Sequence, residues 1–96
     1  MTERTVQAAW PEYARTLGSH LHQARAEAGL TQEQVARAAG ISTFTYQKLE
    51  KGESNPGTAA NPRLQTLVAL SLALGVEVSS LLPGSGSMTL DAHPTR

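Results

Sequence analysis

The stretch from Gly29 to Glu53, GLTQEQVARAAGISTFTYQKLEKGE, constrains the fold more than any other part of this chain. It holds two short apolar-periodic segments, each opened by a hydroxyl residue, with one glycine where the first must turn into the second. Thr31 and Gln34 form a capping box: the Thr31 hydroxyl accepts the N3 amide proton and the Gln34 side chain reaches back. The helix they open turns Val35, Ala36 and Ala39 inward and closes at Gly40. Ile41 bridges, Ser42 caps, and Thr43 to Lys51 is predicted to be a second short helix with Tyr46 and Leu49 inward, stopped by Gly52.

The remaining segments surround this pair. Residues Met1 to Trp10 show no period and read as a flexible N-terminal arm or an early helical turn. Pro11 fits the first turn of a helix, where its missing N–H is harmless. Beyond it Tyr13, Leu17, Leu21, Ala24 and Ala28 recur at helical spacing, and Gly29 ends the run as a left-handed residue. Residues 53–61 (ESNPGTAAN) read as a loop turning at Asn55-Pro56-Gly57, and no β-hairpin signal stands out. Asn61-Pro62 is expected to cap a helix whose apolar residues, Leu64, Leu67, Val68, Leu70, Leu72 and Leu74, span an arc of roughly 200°. That arc is wider than one core contact requires. Gly75 ends the helix, Ser79 is expected to cap a last turn holding Leu81 and Leu82, and residues 83–96 read as a Gly/Ser/Pro-rich disordered tail. The expected fold is all-α, four to five short helices around one core, with the domain over residues 11–82.

Composition narrows the function classes. The chain has no cysteine, which removes disulfides, thiolate metal sites and a Cys nucleophile. His20 and His22 point to different sides of one helix, and His93 lies in the tail, so no metal site is expected. Glu27 and Glu33 read as solvated. No nucleophile elbow, P-loop or supported carboxylate pair is present, so neither an enzyme nor a cofactor is expected. No apolar run reaches the ~18 residues of a membrane span and no signal peptide is evident, which reads as soluble and cytoplasmic. Lys and Arg number 8 against 8 Asp and Glu, a net charge of zero. Any nucleic-acid binding must therefore come from local placement of charge and from pairing of subunits.

The two short helices carry the functional expectation. Ala36 sits where they must approach closely, and Gly40 supplies the positive φ of a tight turn. Together these favour a crossing of about 90–120°, helix-turn-helix geometry, in which the first helix rests on the DNA backbone and the second enters the major groove. The segments LGSHLHQARAEAGLTQEQVARAAGISTFTYQKLEKGE and LVALSLALGVEVSSLL, from Leu17 to Leu82, resemble the Cro/phage-repressor (XRE-like) helix-turn-helix family. GLTQ, the Ala36–Gly40 pair, LEKG and LALGV are specific as an ordered set. Two departures are the long 53–61 loop and Glu53, where a basic residue would help binding. The resemblance implies that Gln32 bonds a DNA phosphate and that Thr43, Phe44, Thr45, Gln47 and Lys48 are the exposed positions of the recognition helix. It also implies a buried ion pair between Arg25 and Glu50.

Each position has a second reading. Phe44 lies about 160° from Tyr46 on the helix wheel, so it faces outward, where it can press on a thymine methyl; the alternative is a core or packing role. Thr43 can contact DNA or support the cap, Gln47 can bond adenine or face solvent, and Lys48 can bond guanine or a phosphate. Lys51 and Arg63 flank the loop; Arg63 is expected at the backbone, and Lys51 can reach the backbone or face solvent. The implied function is a sequence-specific regulator, a repressor that binds double-stranded DNA as a homodimer. The surplus apolar residues Leu72, Val76, Val78, Leu81 and Leu82 are assigned to the subunit seam, Leu81 or Leu82 foremost, with closure of the monomer core as their second reading. Two rivals are an antitoxin that binds a toxin through the C-terminal tail, and a helix-turn-helix module that has lost DNA binding.

Overall fold

In the computed structural model, which describes residues 5–84, five helices and one two-stranded ribbon follow in chain order: α1 (Val6–Ala28), α2 (Gln32–Ala39), α3 (Thr43–Glu50), β1 (Glu53–Asn55), β2 (Thr58–Ala59), α4 (Leu64–Leu74) and α5 (Val78–Leu81). Local chemistry sets most boundaries. Thr31 accepts from the Gln34 amide while the Gln34 side chain accepts from the Thr31 amide, so the capping box is complete. Ser42 caps α3 through the Thr45 amide. Gly40 closes α2 at φ 76, a left-handed conformation that lets its N–H return to Ala36 and Arg37 and turns the chain tightly into α3. The core joins Leu17 and Leu21 of α1, Val35 and Ala36 of α2, Tyr46 and Leu49 of α3, Leu67, Leu70 and Leu74 of α4, and Leu81. Among the described residues no helix is long and apolar enough to cross a membrane.

Five expectations are corrected. The first helix begins at Val6 rather than Pro11, so residues 6–10 take the helical rather than the flexible-arm reading, and Pro11 lies inside the helix. Thr5 caps it by accepting from the Ala8 amide. Tertiary contact holds this early segment: Ala9 is buried, and the Trp10 indole N–H donates to the Ala60 carbonyl at 2.7 Å. Those contacts outweigh the hydrogen bond that a helix-interior proline removes. Ala28, expected inward, is exposed.

The 53–61 segment is not a plain loop. β1 and β2 pair antiparallel across the Pro56-Gly57 turn, with Glu53 opposite Ala59 and Asn55 opposite Thr58 and a register shift between. Strands this short leave no alternating pattern to read. α4 starts two residues beyond Pro62, at Leu64, with Arg63 at its N-cap and no side-chain cap bond. α5 is capped in position by Glu77 rather than Ser79, and the Ser80 hydroxyl donates to the Glu77 carbonyl. Residues 1–4 of the expected arm and 85–96 of the expected tail, His93 included, lie outside the described residues.

Candidate nucleic-acid interface

The placement of α3 is fixed from behind, by α1. Gly18 faces the C-terminal end of α3 so closely that a Cβ there would lie 2.5 Å from the Glu50 carbonyl oxygen and 2.7 Å from that of Leu49. Gly52, at φ 78, meets α1 again: a Cβ there would stand 2.8 Å from the Cα of Arg15. No side chain larger than hydrogen fits at either position without parting the helices. About two turns beyond Gly18, on the same face of α1, Arg25 reaches the Glu50 side chain.

Glu50 is the hub of this contact. Its carboxylate, 7% exposed, accepts from Arg25 Nε at 2.6 Å and Nη2 at 3.2 Å, and from the Tyr46 hydroxyl at 2.6 Å. It also accepts from Gln32 Nε2 at 3.0 Å, and the exposed His22 ring lies beside it at 3.4 Å. Burial alone would push this carboxyl upward, but the bonds from Arg25, Tyr46 and Gln32 outweigh burial and lower it to about 2. Burial, then the bond to Glu50, pushes the Tyr46 phenol well above its ordinary range. Arg25 also donates to the Leu30 carbonyl at 3.1 Å, which ties the end of α1 to the entrance of α2.

With Glu50 turned inward, no acid remains on the outer side of α3, whose sequence TFTYQKLE contains no other. Phe44 projects outward at 68% exposure. The Lys48 ammonium stands 4.6 Å over the Phe44 ring centroid, one helical turn on. Thr45 and Gln47 are exposed and Thr43 is half-buried; the Thr45 hydroxyl accepts from that of Ser42. Lys51 is exposed at the C-cap of α3 and Arg63 is exposed at the N-cap of α4. Between these elements runs a shallow groove whose lining includes Thr45, Lys48, Glu53, Asn61 and Thr66. Glu53, half-buried, lines the same groove.

Two features of the site escaped sequence reading. Gln32 turns toward the ion pair: its amide donates to Glu50, and its oxygen accepts from Gln47 Nε2 at 3.2 Å. An ionised carboxylate only accepts, so Glu50 dictates which end of the Gln32 amide faces it, and Gln47 must then donate. Gly18 was the other, and its signal was present: a glycine inside a helix costs roughly 1 kcal/mol against alanine, so its presence there points to a packing reason.

The expected seam residues divide. Leu72 is 76% exposed, whereas Val76, Val78 and Leu82 are half-buried against the core. Leu81 is 1% exposed, so its assignment to a seam is corrected: it fills the core beneath α1, where the His20 ring donates Nδ1–H to its carbonyl at 3.0 Å.

A family model for the helix-turn-helix domain matches residues 16–81. Among solved structures, the chain is similar to the restriction-modification controller protein C.AhdI from Aeromonas hydrophila, at 26% identity over 72% of this chain and 96% of that one, with a TM-score of 0.63. It is similar at 26% identity to the clp gene regulator ClgR from C. glutamicum, covering 72% of this chain and 82% of that one, with a TM-score of 0.61. A hypothetical transcription factor from Neisseria, NHTF, shares the fold at 21% identity and a TM-score of 0.64, over 90% of this chain and 87% of that one. No curated protein matches the sequence.

Proposed function

The chain belongs to the helix-turn-helix family of the Cro/phage-repressor (XRE-like) type, a family of DNA-binding transcription regulators, and from that membership we propose that it is a repressor acting as a two-fold pair on an operator. The observation that carries this reading is the outer face of α3. Phe44 is left open to solvent with Lys48 above it, while the one acid of the helix is locked inward by Arg25. A helix that offers an apolar ring, hydroxyls, an amide and a cation, with no outward carboxylate, suits a groove lined by base edges and flanked by phosphates. Phe44 supplies contact to a thymine methyl and Lys48 a donor to guanine or a phosphate. Thr43, Thr45 and Gln47 complete the face, and Lys51 and Arg63 lie toward the backbone; Gln32, held by Glu50 and Gln47, has only its second amide N–H to offer a phosphate. One module of this size buries only ~600–1,000 Å² on DNA, and two copies on half-sites about one turn apart supply the rest.

The test is selection of duplexes from a random pool, followed by binding titrations at increasing salt. Lys51→Ala and Arg63→Ala are each expected to reduce the salt slope by roughly 1 without changing sequence preference. Phe44→Ala is expected to relax that preference and leave the slope intact. Failure of any sequence to enrich, or salt slopes indifferent to both cations, would defeat the reading.

A further inference from the structure

Resting on the two-copy reading above, we infer that α4 pairs with α4 of a second copy, antiparallel, across a two-fold axis that passes beside Val68. Among the described residues the large apolar side chains left exposed are Val6, Phe44, Leu64, Val68 and Leu72. The last three, at 70%, 42% and 76%, share one helix, at spacings of four residues. They form a single ridge along α4 that borders the face burying Leu67, Leu70, Ser71 and Leu74. At 1.5 Å per residue the ridge runs about 12 Å. Apolar surface gathered in this way, rather than scattered singly, marks a contact.

Three features identify the occupant as a second copy. The ridge reads Leu–Val–Leu in both directions, so an antiparallel partner sets Leu64 on Leu72 of the other copy and Val68 on its own counterpart. No charged side chain occurs between Leu64 and Leu74. A partner with a charged face would have to bury those charges unpaired, which is costly, whereas an identical face brings none. The smallest of the three side chains stands at the midpoint, where crossing helices come nearest, at about 8–10 Å between axes. This seam replaces Leu81, which the core has already taken, and leaves Val76, Val78 and Leu82 with their intramolecular contacts. Three side chains form only the centre of an interface, well below the ~800 Å² per partner of stable complexes. The free pair is therefore held weakly and tightens when two half-sites on one duplex bring the copies together.

The chain contains no cysteine, so Val68→Cys places one unique thiol on the axis. A disulfide requires Cα atoms about 4.4–6.8 Å apart, which symmetry-related positions satisfy only near the point of closest approach. Under mild oxidation Val68→Cys is expected to cross-link to a dimer roughly tenfold faster than Ala38→Cys, an exposed site on α2, because pairing raises the local thiol concentration. Adding Leu72→Glu is expected to abolish that advantage. On its own, Leu72→Glu is expected to shift sedimentation from dimer toward monomer with unchanged helical circular dichroism and melting. Equal cross-linking rates, with Leu72→Glu still dimeric, would overturn the α4 seam and leave the two copies joined elsewhere. A wild-type protein that is monomeric at every concentration and binds its duplex as one copy would overturn the seam and the two-copy reading together.

Discussion

Glu50 offers the sharpest test of how α3 is held. Replacing it with alanine strands three donors at once: the Arg25 guanidinium, 17% exposed, the Tyr46 hydroxyl on a fully buried residue, and the Gln32 amide. Removing one partner of a buried ion pair costs ~3–5 kcal/mol. A separate route to the magnitude uses the carboxyl itself, lowered from 4.5 to about 2. At 1.36 kcal/mol per pH unit, that preference for the charged form is worth roughly 3 kcal/mol. For a domain of this size 1 kcal/mol moves the melting temperature by about 4–8 °C, so at roughly 3 kcal/mol, the value common to both routes, Glu50→Ala is expected to melt roughly 12–25 °C below wild type at pH 7.

The acid limb supplies the sign. The folded state holds Glu50 ionised to lower pH than the unfolded chain does, so unfolding takes up a proton between these two values. The contribution is complete above pH 4.5 and is lost as pH falls toward 2. In Glu50→Gln, melting temperature measured from pH 6 to pH 2 is expected to fall less steeply over that window than in wild type. A Glu50→Ala protein within about 1 kcal/mol of wild type at pH 7, or a Glu50→Gln protein with the full wild-type acid slope, would refute this reasoning.

Other outcomes follow from the same contacts. Gly18→Ala forces a methyl onto the Leu49 and Glu50 carbonyls and is expected to destabilise by about 1–3 kcal/mol in denaturant titrations; a neutral result would mean that α1 and α3 do not meet there. Trp10→Phe removes the indole donor to Ala60 and is expected to cost ~0.5–1.5 kcal/mol, with the loss seen as faster amide exchange at the ribbon and the start of α1. Thr31→Ala breaks the capping box and is expected to cost ~0.5–2 kcal/mol by thermal melting. Phe44→Ala touches only an exposed ring, so its melting temperature is expected to stay within the range of a surface change, about 0.5 kcal/mol.

What the sequence disclosed was whatever is encoded locally. The capping box at Thr31 and Gln34, the Ser42 cap, the turn at Gly40 and the inward pair Tyr46 and Leu49 depend on residues a few positions apart, and all are found in the structure. Arg25 and Glu50 lie far apart in the chain and came from the family resemblance; their bond is present. The rest required tertiary contact. Pro11 looked like a helix start because the local rule places proline in the first turn, but Trp10 reaching Ala60 carries the helix five residues further back. The ribbon at 53–59 is too short for its alternation to register. Leu81 and Leu72 are the same residue type at neighbouring helix ends, and only packing separates the buried one from the exposed one.

Whether α3 lies in a DNA groove is tested directly by a tethered cleavage reagent. Because the chain has no cysteine, Gln47→Cys on the exposed side of α3 can carry an iron chelate that cuts nearby sugars. Bound to a selected duplex, this protein is expected to cut in two clusters, one per half-site, about 34 Å apart, while the same reagent on Glu27→Cys, exposed on α1, is expected to leave the duplex uncut. Scattered cuts from Gln47→Cys, or equal cutting from both positions, would contradict the placement of α3.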